Sequence, residues 1–189
     1  LFCGSGTESD NLAIKGILLK KYWFQPEMIT TRLEHAAILK TADWLEEKGL
    51  PVHYVDFDKD TGQININHLK SLINSNTRLV SIQHVNSETG VIQDLKTIAS
   101  EAKKINRNIL LHSDGVQAFT KIPINLNEMG VDMYSISSHK IRGIKGTGAL
   151  ILSTKQEPVI QIHGGGQEHG FRSGTENVPG IAALGLAAK

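Results

Sequence analysis

Short apolar, β-branched runs alternate with segments of helical period along the 189 residues. The runs Met28 to Thr31, Val52 to Val55, Leu79 to Val85, Asn108 to His112, Met133 to Ile136 and Gly148 to Leu152 predict strands. Between the third and fourth, Asp94 to Ile105 keeps Leu95, Ile98, Ala102 and Ile105 on one helical face and turns Lys103 and Lys104 elsewhere, which completes a βαβ unit. His35 to Lys48 likewise places Ile38, Ala42 and Leu45 on one stripe before Gly49 ends it. Strands alternating with helices of this length predict an α/β fold, a mostly parallel sheet flanked by helices on both faces. No repeat, low-complexity tract or linker divides the chain, so one domain is expected. Residue 1 is not methionine, the chain opens at what reads as the exit of a strand, and Ile181 to Lys189 starts a helical pattern and stops. It therefore reads as a fragment of a longer protein.

Charge and composition narrow the classes of function. Twenty Lys+Arg against 19 Asp+Glu leave a formal net charge of +1, which supplies no electrostatic reason to expect nucleic-acid or anionic-membrane binding. No segment is long and apolar enough to span a bilayer. A 40% hydrophobic share with 21% charged residues suits a packed core and excludes general disorder. The single cysteine, Cys3, excludes an internal disulfide framework and a cysteine zinc cluster, so a reducing, cytoplasmic setting is expected. Glycine is in excess, 18 residues where an average share of about 7% would give fewer, and its placement becomes informative.

In sheets of this kind ligands sit at the carboxyl ends of the strands, where helix N-termini gather. The chemistry-bearing clusters of this sequence fall there. Gly4-Ser5-Gly6-Thr7-Glu8, followed by Leu12, Ile14 and Ile17, reads as a glycine-rich turn opening a helix. Such a turn binds phosphate through N–H groups, a threonine hydroxyl and the helix dipole, or is a plain turn with Thr7 as helix cap. Ser9 stands where a dinucleotide fingerprint needs its third glycine, and no Gly-Lys-Ser/Thr follows to make a P-loop. Asp114 closes the fourth run, either as a helix cap or as a carboxylate aimed at a cationic ligand atom, with Gln117 one turn on. Lys140 follows Ser137-Ser138-His139 at another strand end and is a candidate nucleophile or an ordinary surface lysine; Lys145, in a glycine-rich turn, is its rival. Lys140 and Asp114 together match the demands of pyridoxal phosphate (PLP), a lysine for a Schiff base and a carboxylate on the pyridinium nitrogen.

Histidines add two further readings. His163 and His169 flank five residues, but the spacing matches no zinc pattern, and no metal site is assigned. His35 follows Arg32-Leu33-Glu34 at a strand-to-helix junction, where it stacks on a flat ring, carries a proton, or simply begins a helix. The tract His163 to Asn177, HGGGQEHGFRSGTEN, is a long glycine-rich loop with the anion-binding types Arg172, Ser173 and Thr175.

Taken together, GSGTESDNLAIKG (4–16), LEHAAIL (33–39), VSIQHVNSETGVIQDL (80–95), HSDGVQAFTKIPINL (112–126), SSHKIRGIKGTGALIL (137–152) and HGGGQEHGFRSGTENV (163–178) resemble the NifS/IscS-type cysteine desulfurases of the class V aminotransferase family. The stretches cover almost the whole chain in the family's order. The resemblance implies the large domain of the PLP-dependent transferase fold type I over residues 1–189, incomplete at both ends. It implies that Lys140 bonds the cofactor covalently, Asp114 pairs with its ring nitrogen, Gln117 bonds its ring hydroxyl, Asn86 and Ser87 lie at the asparagine positions that approach it, and His35 stacks on it and moves protons. Gly6, Thr7, Ser137 and His139 would hold the phosphate, and Thr175 the phosphate of a second subunit, which makes a homodimer the expected assembly.

The implied reaction converts L-cysteine to L-alanine, with the sulfur passing to an enzyme cysteine as a persulfide and then to an acceptor or scaffold protein for iron–sulfur cluster or thio-compound synthesis. Three positions depart from the family: Ser87 replaces the second of two asparagines, Ile144 a proline and Cys3 a threonine. The family's nucleophilic cysteine, its substrate-carboxylate arginine and its small C-terminal domain lie beyond the matched region, so the fragment alone is expected to be inactive. Three other readings are a related PLP lyase or aminotransferase, a cofactor-free homologue acting as a binding partner, and, last, a dinucleotide-binding domain.

Overall fold

The computed structural model describes residues 1–21, 24–153 and 156–189. In chain order the elements are β1 (Phe2–Cys3), α1 (Gly6–Leu18), β2 (Glu27–Thr31), α2 (Ala36–Glu47), β3 (Val52–Val55), α3 (Ile66–Leu72), β4 (Thr77–Ser81), α4 (Leu95–Ile105), β5 (Leu110–Asp114), α5 (Leu126–Met129), β6 (Met133–Ser137), β7 (Gly148–Leu152) and α6 (Val178–Ala187). The strands form one seven-stranded sheet in the order β1-β7-β6-β5-β4-β2-β3. From β3 to β6 every pairing is parallel, while β7 runs antiparallel to both β6 and β1. The mostly parallel α/β arrangement expected from the alternation is therefore present.

The inner strands feed two cores at once. Met28, Leu79, Met133 and Leu150 pack with α1 and α2 on one face, whereas their neighbours Ile29, Val80, Tyr134 and Ala149 pack on the other with residues of α3 and α4. Successive strand side chains point to opposite faces, so a strand buried on both sides reads as a continuous apolar run rather than an alternating one. Both α1 and α2 start on side-chain caps: Ser5 Oγ accepts from the Glu8 N–H, and His35 Nδ1 from the Ala37 N–H. The cap of α1 is thus Ser5, not Thr7.

Two strand ends differ from their sequence reading. The strand expected over Leu79 to Val85 is β4, which ends at Ser81; the Ile82 and His84 N–H groups still donate to the His112 and Asp114 carbonyls of β5, but the chain reverses over residues 86–90 and returns with the Gln93 N–H on the His84 carbonyl and Ile92 bridged to Val85. The run expected from Asn108 starts instead at Leu110, because the Asn106 carboxamide accepts the Asn108 N–H and holds a turn there. Helices α3 and α5 are short and carry no stripe long enough to be seen as periodic, although Asn65 and Asn125 cap them.

Because β1 lies parallel to β6 across β7, the exit of β1 meets the carboxyl ends of the parallel strands on one rim. Gly148 makes that approach possible: a Cβ there would stand 2.6 Å from the Ser5 carbonyl carbon and 2.8 Å from the Ile136 oxygen. Both atoms are backbone, so nothing can rotate away. Gly148→Ala is expected to lower the unfolding free energy by about 1–3 kcal/mol, the usual cost of overpacking. An unchanged midpoint in chemical denaturation would show that the Ser5 turn yields freely.

Candidate functional site

Five strand exits converge on a cavity of about 320 Å³. Ser5, Gly6, Thr7 and Asp10 reach it from β1 and α1, His35 from the exit of β2, and Gln83, Val85, Ser87 and Glu88 from beyond β4. The exit of β5 contributes Asp114, Val116 and Gln117, and that of β6 contributes Ser137, His139 and Lys140. Nine of the residues singled out from the sequence therefore share one cavity: Gly6, Thr7, His35, Ser87, Asp114, Gln117, Ser137, His139 and Lys140. Lys145 does not line it.

Local geometry presets the two ends of the cavity. At one end α1 starts with Gly6, where a Cβ would lie 2.8 Å from Val116 Cγ2, so the helix begins in close contact with the β5 exit. The first N–H groups of a helix have no carbonyl to bond and carry the positive end of its dipole. The Thr7 and Ser137 hydroxyls and His139 line the same cavity, and Ser137 Oγ is hydrogen-bonded to His139 Nδ1 at 2.8 Å. This is a donor set for an anion. Lys140 sits on a single 3-10 turn, Ser138–Ile141, which the Gly143 N–H closes on the Ser138 carbonyl at 2.9 Å and Arg142 ends in the left-handed conformation, φ +65°. The turn closes without the family's proline at position 144.

At the other end stands Asp114. It is buried, its Oδ1 accepts the Val116 N–H at 2.9 Å, and desolvation raises its pKa against the opposing pull of that N–H, of His35 and of Lys140. A carboxylate so placed favours a cation at the cavity. His35 uses Nδ1 to cap α2, so the neutral ring carries its proton on Nε2.

Two expected residues lie elsewhere. Asn86 does not line the cavity: its Oδ1 accepts from the Glu88 and Thr89 N–H groups and the Thr89 hydroxyl, and its Nδ2 donates to the Leu33 carbonyl. It shapes the turn that presents Ser87. Thr175 lines a separate recess with Gly4, Thr147 and Arg172. Arg172, an anion-binding type in sequence, is paired with Glu8 at 2.7 Å, and Glu8 Oε2 also accepts the Gly4 N–H at 2.8 Å.

Sequence reasoning missed the carboxyl groups around Asp114. Asp10 and Glu34 are both buried, and burial raises both pKa values well above the usual range. Glu34 Oε1 accepts the Gln83 backbone N–H at 2.8 Å, while its Oε2 and the Gln83 side-chain Nε2 have no hydrogen-bond partner among the described residues. Beneath them runs a polar chain in which His112 joins Ser81 through Nδ1 (2.9 Å) and Ser135 through Nε2 (3.0 Å), and the Ser9 hydroxyl lies 2.8 Å from that of Ser135. Burial pushes His112 down to about 3, so it is neutral at ordinary pH. Among the described residues no group of three or more His, Cys, Asp and Glu side chains is arranged to hold a metal, and no helix is long and apolar enough to cross a membrane.

Comparison with known proteins places this arrangement. The family model described as "Aminotransferase class-V" matches residues 1–189. A protein named cysteine desulfurase IscS from Histophilus somni is 44% identical over 189 residues, 99% of this chain and 46% of that protein. Among solved structures, a "NIFS-like protein" superimposes with a TM-score of 0.94 at 39% identity, over 100% of this chain and 51% of its own. Another, described as SspA in complex with cysteine, gives 0.93 at 39% identity, over 100% of this chain and 54% of its own. The chain thus spans about half the length of the relatives it matches.

The buried Glu34 carboxyl sets a pH dependence. Its folded pKa lies above the unfolded one, so folding takes up a proton there, and the stability it contributes is complete below the unfolded value and lost as pH rises through the folded one. Asp10 acts in the same direction. As pH rises above about 4, the unfolding free energy of Glu34→Gln should therefore decline less steeply than that of the wild type. Parallel curves in denaturant titrations at several pH values would show Glu34 to be ionised in the fold.

Proposed function

The chain belongs to the class V aminotransferase family, and from that membership we propose that it is the PLP-binding large domain of a cysteine desulfurase that releases sulfur from L-cysteine and leaves L-alanine. The observation that carries the reading is the meeting, in one cavity, of Lys140, the buried carboxyl of Asp114 and the N-terminus of α1. These match the three ends of PLP: an aldehyde that bonds an amine, a ring nitrogen that takes a carboxylate and a phosphate that seeks N–H and O–H donors. When bound, PLP supplies an electron sink for the α-carbon of an amino acid.

The residues of the chain then have separate tasks. Lys140 would hold the cofactor through Nζ, and its amine would serve as a proton carrier at the cavity. Asp114 takes the ring nitrogen and Gln117 the ring hydroxyl. Gly6 N–H, Thr7, Ser137 and His139 hold the phosphate. His35, with its free Nε2 edge, covers the ring and carries a proton. Ser87 stands at the cavity in place of the family's asparagine, and a serine hydroxyl reaches less far than a carboxamide.

The sulfur-accepting thiolate is not Cys3. That thiol is buried and burial pushes it up to about 12, which leaves almost no thiolate at neutral pH. A cysteine outside these 189 residues takes the sulfur and passes it to an acceptor or scaffold protein. Thr175, outside the cavity of its own chain, serves the site of a second subunit in a homodimer, in a cytoplasmic setting.

Addition of PLP is expected to produce a visible absorbance band that disappears in Lys140→Ala. Asp114→Asn should weaken PLP binding about 10- to 100-fold, the range for a hydrogen bond to a charged group. No band in the wild type would sink the reading. A band without alanine production from L-cysteine by the full-length enzyme would turn it toward a related lyase or aminotransferase.

A further inference from the structure

The cavity holds a second buried acid that no step above uses. Asp10, in α1, is 1% exposed and lines the cavity beside Asp114. Its Oδ1 has no hydrogen-bond partner among the described residues, and His112 Nε2 stands 3.6 Å away, beyond hydrogen-bond reach. The groups that act on it are Asp114 and Glu34, both acids, and the Ser135 hydroxyl. Neutral His112 brings no positive charge to it. Lys140 and His35 act instead on Asp114, whose pKa they lower. A buried carboxylate with an unpartnered oxygen and only acids for charged neighbours carries a desolvation penalty that the Ser135 hydroxyl offsets in part, and taking up a proton removes it.

We propose that Asp10 is a positioning residue for Asp114: it sits in the cavity as a neutral carboxylic acid, fills the space beside Asp114 without adding charge, and leaves Asp114 as the buried carboxylate that faces the cofactor ring. The role rests on the PLP reading above. Without that proton, two or three desolvated carboxylates would crowd one side of the cavity, and like charges so close cannot all remain ionised. The negative charge would then be shared between Asp10 and Asp114, and the partner of the ring nitrogen would be ill-defined. A neutral Asp10 confines it to the side chain that His35 and Lys140 already favour. Glu34, equally buried and bonded to the Gln83 N–H, is the third acid of the group and is neutral for the same reason.

Infrared spectroscopy of the protein without added PLP tests the protonation directly. At neutral pH the wild type should show the carbonyl stretch of protonated carboxylic acid, with one component lost in Asp10→Asn and another in Glu34→Gln. PLP binding and the pH titration of its visible band test the role. Asp10→Ala should weaken PLP binding about tenfold and shift the titration midpoint, whereas Asp10→Asn, a neutral group of the same shape, should restore both. A merely structural contribution would not move the titration midpoint. A wild type that binds PLP but shows no protonated-acid component lost in Asp10→Asn overturns this inference alone. Asparagine that fails to rescue alanine also overturns it, because the negative charge of Asp10 would then be what the site uses. A wild type that shows the component but takes up no PLP sinks the functional reading, and the positioning role falls with it.

Discussion

A carboxylate removed from water at the end of a strand must find either a cation or a proton, and this requirement organises the rim of the sheet. Asp114 closes β5 beside Lys140 and His35, which lower its pKa against the desolvation that raises it. Asp10 and Glu34, with only acids for charged neighbours, rise without that relief. One side of the cavity thus holds a carboxyl group that the protein itself only partly compensates, and a cationic ligand atom would complete it. The opposite side, at the start of α1, asks for an anion. The separation of these two demands across one cavity, more than any single residue, describes the shape of the molecule that fits.

The demand extends into the sheet. Strands β4, β5 and β6 are apolar where they meet the helices but finish in Ser81, Ser113-Asp114 and Ser135 to Ser137. Ser81, His112 and Ser135 are fully buried on the face that α1 crosses, so they must find partners there. Ser81, His112, Ser135 and Ser9 do so in a chain, and His84 bonds the Tyr134 hydroxyl at 2.7 Å on the other face. Gly115 belongs to the same packing, since a Cβ there would fall 1.9 Å from the Tyr134 ring. A layer bonded in this way cannot shift one member without orphaning the next, and it fixes the strand ends on which Asp114 and Lys140 depend.

The parts of this arrangement that were legible in the sequence are those carried by local pattern. Strand runs followed by Asp114 or Ser137 to Lys140 mark the rim, because strand ends are set by nearby residues. The remainder depends on contacts that no window contains. Asp10 reads as one of the polar positions of Glu8-Ser9-Asp10-Asn11, and only the passage of α1 across β4, β5, β6 and β7 buries it. Glu34 meets the Gln83 N–H 49 residues away, and Arg172 reaches Glu8 over 164. The extension of β4 to Val85 failed for a comparable reason: hydrophobicity persists, but the Asn86 carboxamide gathers three donors and reverses the chain.

The pairing of β1 with β7, together with the Arg172–Glu8 contact, bears on the order in which the molecule is made. The glycine turn at residues 4–7 is among the earliest of these residues to leave the ribosome, yet its neighbours come late. Phe2 and Cys3 find their strand partners only when Gly148 and Ala149 exist, and Glu8 meets its guanidinium only after residue 172. The β2–β3 and β2–β4 pairings close within the first 81 residues and need none of these. During synthesis, which runs from the N-terminus at about 5–20 residues per second, the sheet can begin at its β3 edge while the glycine turn stays open. The nascent chain is therefore unable to complete the turn before most of the domain has been translated.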